Sequence, residues 1–165
     1  MPMIDSFLQE LEMEVPATRR LLERLPEDKL GWKPHEKAYS LGQLALHVAT
    51  VPGNVAQMAK QDLMEAPSFQ QPAAETRGQL LDALTQSVAT AKQTLGGMDD
   101  ATLNSMWKFI RDGNTVMEMP RAAVLRMIML NHWYHHRGQL STYLRSLGVA
   151  VPSVYGPTAD ENPFM

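Results

Sequence analysis

The sequence contains no cysteine among its 165 residues. This absence excludes disulfide bonds, thiolate nucleophiles and zinc sites that are built from thiolates. A long apolar run is also missing, because the apolar-biased stretches carry Arg or His within a few residues, so we expect no membrane-spanning helix. The N-terminal segment, residues 1–15, has neither the basic stretch nor the apolar core of a signal peptide. These absences together predict a cytoplasmic protein.

The sequence has no excess of basic residues. Its 15 Lys and Arg residues stand against 18 Asp and Glu residues, which gives a formal net charge of −3 at pH 7. A protein that binds nucleic acid by neutralising phosphates usually carries a clear basic excess. A helix that binds a membrane surface needs a basic face, and none of the predicted helices shows one. We therefore expect neither a nucleic acid nor a membrane among the partners.

The motifs of several enzyme classes are absent too. The pair Gly96-Gly97 ends a predicted helix and does not belong to a glycine-rich phosphate loop. The sequence has no G-x-S-x-G nucleophile motif. The histidine-rich segment 132–136 reads HWYHH, without the glutamate that serves as general base in the H-E-x-x-H motif. The sequence therefore disfavours a metalloprotease.

Four long segments carry apolar residues at helical spacing, and no segment shows convincing strand alternation. Hydrophobic residues make up 44% of the sequence and charged residues 20%, which is an ordinary globular balance, and the length suits one domain over residues 1–165. We therefore predict an all-α fold, a four-helix bundle. A loop with Pro67 and Pro72 follows the second helix, and the irregular segment 98–119 serves as a crossover. The predicted helices span residues 5–25, 40–63, 74–95 and 120–148.

Local signals mark the ends of these helices. Ser40 and Gln43 have the spacing of a capping box at the start of the second helix. Pro120 and Gly148 mark the start and the end of the last helix, as the usual preference for proline and glycine at these positions predicts. Pro52 lies inside the second helix, where it predicts a kink or a break into two shorter helices.

Three of the five histidines fall within five positions of the last predicted helix. His132 and His136 are four residues apart, so they share one face of that helix, which is also its apolar face. His47 lies on the inward face of the second helix. We therefore expect three imidazoles to converge inside the bundle and to bind a divalent metal. Three protein ligands leave positions open for water or substrate, which is typical of a catalytic site.

The histidine pattern has other interpretations. Inward histidines are often core residues that hydrogen-bond to backbone or carboxylate groups, and this alternative stays open on periodicity alone. A ligand pair of His132 and His135, three residues apart, is the main alternative to the pair that includes His136. His135 is otherwise expected beside the ligands or at the surface. His35 is expected at the surface or in packing contacts, and its functional alternative is a fourth ligand or a general base.

Five further residues are candidates for the surroundings of the site. Gln139 is predicted to contact a water on the metal or a neighbouring helix. Arg137 is predicted outside the core, paired with a carboxylate. Tyr143 is either a proton donor to a substrate or a core residue with a hydrogen-bonded hydroxyl. Trp32 and Trp107 either line the mouth of a pocket or pack in the core.

Two sequence segments have the form of family motifs. Residues 132–147 read HWYHHRGQLSTYLRSL, with an H-x-x-x-H-R-G-Q core, and PSVYGP follows at 152–157. Residues 40–49 read SLGQLALHVA. These segments resemble the last-helix and second-helix motifs of the DinB/YfiT-like superfamily. The resemblance covers most of the chain, although residues 63–119 match in pattern only.

The resemblance implies a four-helix bundle of up-down-down-up topology. It implies a divalent metal ion bound by His47, His132 and His136, which are also the residues that periodicity selects. Similar proteins are often homodimers, and members with known activity include transferases and isomerases that use low-molecular-weight thiols activated by the metal. We expect zinc or nickel, with manganese or iron as alternatives, because imidazole ligands suit several ions.

Three hypotheses about function follow from these patterns. The first is a metal-dependent enzyme of unassigned substrate, either a thiol-dependent transferase or a hydrolase, for which no catalytic residue is assigned. The second is a non-catalytic module that binds a metal or a small ligand in a stress response. The third is a plain bundle with core histidines. Stoichiometric metal would exclude the third hypothesis, and an open coordination position beside a pocket would favour the first over the second.

Overall fold

The structure is a computed structural model that describes residues 1–66, 68 and 70–165. Pro67, which the sequence predicts to lie in a loop, is outside the described residues. The chain is mostly helical and carries a small three-stranded sheet. The α-helices are α1 (Met3–Glu23), α2 (Leu41–Lys60), α3 (Arg77–Leu95), α4 (Asp100–Asn104), α5 (Arg121–Val124) and α6 (His132–Ser146). A 3₁₀-helix spans Glu27–Lys29, a π-helix spans Leu125–Asn131, and the strands are β1 (Leu63–Glu65), β2 (Met106–Arg111) and β3 (Asn114–Pro120).

Capping boxes begin two of the long helices. At α2, Ser40 Oγ accepts a hydrogen bond from the backbone N–H of Gln43 at 3.2 Å, and Gln43 Oε1 accepts one from the backbone N–H of Ser40 at 2.9 Å. This pair confirms the predicted start of the second helix. Thr76 and Gln79 form the same reciprocal arrangement at α3. Helix α2 ends before its predicted position because the chain leaves it to form β1.

Helix α2 continues through Pro52, where the sequence predicts a kink or a break. Proline has no N–H, so it cannot donate to the carbonyl four residues earlier, which is that of Val48. The indole Nε1–H of Trp133 donates to this carbonyl at 2.7 Å. The backbone N–H of Gly53 donates to Ser87 Oγ at 2.8 Å. Side chains of neighbouring helices thus bind backbone groups around the proline, and they tie α2 to α3 and to α6.

The small sheet corrects the expectation of an all-α fold. Strand β1 is parallel to β2, and β3 is antiparallel to β2, so β2 lies in the middle. The hairpin of β2 and β3 occupies the segment that the sequence predicts as an irregular crossover. Its two-residue turn, Asp112 (φ +50°) and Gly113 (φ +74°), has the positive φ angles of a type I′ turn. The Asp-Gly pair is the sequence signal for this hairpin. Strand β3 itself gives no clear signal, because a strand that is exposed on both faces needs no alternation of apolar and polar residues.

The last helical region consists of α5, the π-helix Leu125–Asn131 and α6. The backbone is helical at both junctions, so the three segments form one continuous helix, which we call the last helix. Pro120 directly precedes it, and Gly148, with φ +71°, follows its end, as the sequence predicts. The π-helix is not predicted by the sequence. It ends at the residue before His132, and π-helical segments often lie at functional sites.

Helix α2 packs against both α3 and the last helix, and α1 packs against α3. Leucine, valine and alanine side chains dominate the buried core between these helices. Among the residues that the structure describes, no helix has both the length and the apolar character that crossing a membrane requires. The up-down-down-up order of a four-helix bundle and the single domain over residues 1–165 stay predictions.

Arg137 is buried, although the sequence predicts it outside the core. Only 2% of its surface is exposed, and its Nη2 pairs with the Glu14 carboxylate of α1 at 2.6 Å. The predicted carboxylate partner is therefore confirmed, and the predicted exposure is wrong. The ring of Tyr155, from the irregular C-terminal segment, covers the guanidinium with 5.0 Å between the ring centroid and Cζ. Helical periodicity cannot show that this segment folds over the face of the last helix that carries Arg137.

Candidate metal centre

Three histidine side chains from two helices meet at one point. His47 lies on α2, and His132 and His136 lie one turn apart on the last helix. The nitrogens that these rings offer as ligands all lie within 4.8 Å of one another. The Nε2 atoms of His47 and His132 are 2.8 Å apart, and all three side chains are half-buried. The structure therefore brings together the three residues that the sequence selects.

A buried hydrogen bond joins the two helices at the level of the histidines. Trp133, which follows His132, donates to the carbonyl of Val48, which follows His47. This is the carbonyl that Pro52 leaves without its helical partner. The bond fixes the last helix against α2, and the four-residue spacing then directs two imidazoles toward the third. The proline inside α2 is thus part of the architecture of the site.

The surroundings keep the three imidazoles neutral near pH 7. Burial is the main cause that lowers the pKa of His47 to about 4, and the neighbouring His136 and His132 lower it further, while the Gln71 side chain opposes the shift. Burial, followed by the charges of His136 and His135, also lowers the pKa of His132. Burial is the largest cause of the lowered pKa of His136. Because a free imidazole titrates at about 6.5, the three rings offer lone pairs at neutral pH, which is the form that binds metal.

Gln139 holds the outer nitrogen of one of these imidazoles. Nδ1 of His136 lies 2.7 Å from Oε1 of Gln139. An amide oxygen only accepts hydrogen bonds, so Nδ1 carries the proton and Nε2 keeps its lone pair. A partner on the second nitrogen of a metal-binding histidine fixes both the tautomer and the orientation of the ring. The sequence predicts Gln139 near a water on the metal or a neighbouring helix, and the structure places it on a candidate ligand itself.

Replacing Gln139 with leucine is expected to weaken metal binding by about tenfold or more, because Nδ1 of His136 loses its acceptor. Gln139→Glu keeps an acceptor at the same place and should bind metal as tightly as the unchanged chain. Calorimetric titration with Zn²⁺ measures both affinities. Gln139 is exposed, so neither change should lower the melting temperature appreciably. Equal affinities in the leucine variant and the unchanged chain would show that the bond does not orient the imidazole.

The other two histidines are not part of the cluster. His135 is exposed, and its ring centroid lies 5.0 Å from that of His136. The alternative pair of His132 and His135 is therefore not the one that the structure joins to His47. His35 is an exposed loop residue whose Nδ1 accepts a hydrogen bond from a nearby backbone N–H at 3.2 Å.

Aromatic side chains flank the cluster on one side. The Tyr143 hydroxyl donates to the backbone carbonyl of Tyr39 at 3.2 Å, and the ring of Trp32 meets the Tyr143 ring edge-on at 5.5 Å between centroids. The Tyr143 hydroxyl is thus bound within the protein, which is the packing alternative that the sequence leaves open. The ring of Tyr39 lies 6.5 Å from that of His47.

A cavity of about 520 Å³ lies next to the cluster, and His47 and His132 form part of its wall. Trp107 and Phe109 of β2 line it as well, with their rings stacked at 6.2 Å. Trp107 is fully buried, so it both packs in the core and lines the cavity. Phe109 is not among the residues that the sequence predicts at the site, because its strand belongs to the hairpin, which helical periodicity does not predict. A volume of this size suits a small-molecule ligand, for which pockets of about 300–1,000 Å³ are usual.

The residues of the cluster fit a divalent metal ion. Neutral imidazole nitrogens suit zinc, nickel, iron and copper. Two nitrogens bound to one ion at about 2.1 Å lie no more than about 4.2 Å apart. Because the candidate ligand atoms already lie within 4.8 Å of one another, small side-chain rotations are enough to meet this requirement. Three protein ligands also leave coordination positions open, and two of the three histidines face the cavity.

These features define a class of protein, a mostly helical chain with a three-histidine candidate metal site beside a cavity. The model of the DinB family matches residues 1–162. The chain therefore belongs to the DinB family. It is similar to protein YrdA of Bacillus subtilis strain 168, with 30% identity over 160 residues, which cover 96% of this chain and 91% of that protein.

Two solved structures extend the comparison. A DinB-like protein from Bacillus cereus ATCC 10987 superposes with a TM-score of 0.73 and 25% identity, covering 92% of this chain and 97% of that one. A mycothiol-dependent maleylpyruvate isomerase superposes with a TM-score of 0.52 and 17% identity, covering 93% of this chain and 66% of that one. The isomerase shares the fold, and its identity is too low to carry more than that.

Proposed function

We propose that this chain binds a divalent metal ion through His47, His132 and His136 and is a metal-dependent enzyme, either a thiol-dependent transferase or a hydrolase. The observation that carries the proposal is the convergence of three imidazoles from two helices beside a cavity. Structural metal sites are usually closed by four protein ligands, whereas catalytic sites keep a position open. Three histidine ligands next to a cavity resemble the open arrangement of a catalytic site.

The residues of the chain set the conditions for this chemistry. A bound divalent ion acts as a Lewis acid and lowers the pKa of a coordinated thiol or water. Because the pKa values of the three histidines are lowered, their imidazoles are neutral at pH 7, and protons do not compete with a metal ion for the ring nitrogens. Because the chain contains no cysteine, a thiol in the reaction has to come from a small molecule.

The mycothiol-dependent isomerase supports the thiol part of the proposal, because the same fold serves a thiol-dependent reaction in that protein. Fold alone does not transfer a substrate, so the proposal is limited to a low-molecular-weight thiol as a class. Zinc or nickel is the proposed metal, with manganese or iron as alternatives. A homodimer and the up-down-down-up bundle, which the family resemblance implies, belong to the same proposal.

Elemental analysis of the untagged protein tests the proposal first. We expect about one ion per chain after purification, or after the stripped protein is titrated with Zn²⁺, Ni²⁺, Mn²⁺ or Fe²⁺. Loaded protein should then accelerate the reaction of cysteine with 1-chloro-2,4-dinitrobenzene, in which the thiol sulfur displaces chloride and releases a proton. Absence of stoichiometric binding by all four ions would overturn the proposal. One ion per chain without activity toward any thiol or ester probe would favour the non-catalytic module.

A further inference from the structure

The cavity beside the histidines has walls from three parts of the fold. Val51 and Val55 come from α2, Ile128 comes from the last helix, and Phe109 and Met117 come from the hairpin. Phe109 and Met117 are direct partners in the β2–β3 register. The register shifts just beyond this pair, and bulges of this kind often redirect side chains next to sites. The hairpin thus closes a space that the helices leave open.

The chemistry of the walls is apolar. Among the described residues that line the cavity, none is Lys, Arg, Asp or Glu. A charged group moved from water into such surroundings loses its hydration without gaining a partner, which is costly. The polar groups at the walls are the two imidazoles of His47 and His132 and the neutral side chains of Thr50, Asn54 and Gln71. The cavity therefore favours a molecule with an apolar body and one uncharged polar end.

Methionines give the walls an adaptable shape. The sequence contains 12 methionines, and Met58, Met64 and Met117 line this cavity. Methionine side chains are flexible and polarisable, and they are common at binding surfaces that accept several shapes. These three side chains can therefore adjust the cavity wall to the shape of a bound molecule.

We propose that this cavity binds the apolar body of an uncharged small molecule and holds its polar end against His47 and His132. The proposal names the substrate class of the candidate centre, and in that respect it rests on the proposed function. Thiols of low molecular weight that carry several charges do not fit these walls. The cavity therefore takes the molecule that reacts with the thiol or the water.

Fluorescence titration of the full untagged protein with N-phenyl-1-naphthylamine, a neutral apolar probe, tests this assignment. We expect saturable binding with micromolar affinity to both the metal-stripped and the Zn²⁺-loaded protein. The anionic relative 1-anilinonaphthalene-8-sulfonate should bind the metal-stripped protein at least about tenfold more weakly, because its sulfonate has no cationic side chain to pair with among the described residues that line the cavity. Equal binding of the two probes, or no saturable binding of the neutral one, would overturn the proposal.

Two variants localise the probe, and a third serves as the matched control. Met117→Glu places a charge at the cavity wall, and Phe109→Ala removes an aromatic surface from it. Each should weaken probe binding at least about tenfold. Val116→Glu introduces the same charge one residue away, at a side chain that is 60% exposed and does not line the cavity. It should bind the probe within about twofold of the unchanged chain. Equal effects of Met117→Glu and Val116→Glu, with Phe109→Ala unchanged, would contradict the assignment.

Metal titration of the same variants separates this proposal from the proposed function. Met117 and Phe109 are not among the candidate metal ligands. Both variants should therefore still bind about one Zn²⁺ per chain if the metal centre is correct. Probe binding at the cavity without metal binding would overturn the proposed function and leave the cavity assignment standing. Metal binding without probe binding would overturn the cavity assignment and leave the proposed function standing.

Discussion

Replacing His136 with alanine is expected to remove stoichiometric metal binding while leaving the helix content unchanged. Two imidazoles remain in this variant, and the loss of one of three ligands should weaken Zn²⁺ binding by more than about 100-fold, because even partners that only orient a ligand contribute about 10- to 100-fold. The His136 side chain is only half-buried, so its removal should leave the core intact, and circular dichroism should show the same helical signal. Calorimetry or elemental analysis of the stripped and reloaded protein measures the loss.

His135→Ala is the matched control for this prediction. His135 is the neighbouring residue on the same helix, and its exposed ring lies against that of His136 without joining the cluster. This variant should bind metal within about twofold of the unchanged chain. Loss of metal in His135→Ala together with undiminished binding in His136→Ala would instead support the pair of His132 and His135. His47→Ala should lose metal in either case, because His47 supplies the ligand from the facing helix.

The histidine cluster is predictable from the sequence because its geometry is local. A spacing of four residues on one helix places His136 next to His132, independently of the rest of the chain. The inward face of α2 is likewise set by the apolar residues around His47. The sequence does not show that the two helices meet at this level. Their contact at this level includes the hydrogen bond from Trp133 to the carbonyl of Val48, which has no helical donor because of Pro52. These residues are far apart in the sequence, so local patterns do not reveal the bond.

The cavity is less predictable because it depends on pairing over longer distances. Phe109 and Met117 line the cavity only because β2 and β3 form a hairpin. These strands are largely exposed, so their sequences show little of the apolar alternation that predicts a strand. Only the turn at Asp112-Gly113 has a clear local signal. Strand β1 is shorter still, and it pairs in parallel with a strand far along the chain. The candidate ligands are therefore visible in the sequence, whereas the space that would hold a substrate is visible only in the structure.

Replacing Arg137 with methionine is expected to destabilise the protein by about 3 kcal/mol or more, because the Glu14 carboxylate loses its ionic partner in a nearly buried position and keeps only the Tyr155 hydroxyl as a side-chain donor. The guanidinium also donates to Thr18 Oγ1 at 3.1 Å and to the Glu14 backbone carbonyl at 3.2 Å. It lies 5.1 Å from the Tyr134 ring centroid and 5.0 Å from that of Tyr155, so cation–π contacts are lost as well. At about 2–4 °C per kcal/mol for a chain of this size, the melting temperature should fall by roughly 10 °C.

Arg126→Met is the control that isolates burial as the cause of this effect. Arg126 lies on the same last helix and pairs with Glu10 of the same helix α1, at 2.7 Å, but both side chains of this pair are partly exposed. Exposed pairs contribute about 0–1 kcal/mol, so this variant should melt within a few degrees of the unchanged chain. If Arg137→Met were no less stable than Arg126→Met, the buried pair would not hold the last helix to α1.

A second change separates the charge of Glu14 from the lost packing of Arg137. In the double variant Arg137→Met with Glu14→Met, no unpaired carboxylate remains, and buried ion pairs are often replaced by apolar side chains at little cost. We therefore expect the double variant to be more stable than Arg137→Met alone, which denaturant unfolding measures as a double-mutant cycle. Both variants should keep about one metal ion per chain, because Arg137 points away from the histidines, toward α1 and the C-terminal segment. A variant that lost metal together with stability would instead show that the two faces of the last helix depend on each other.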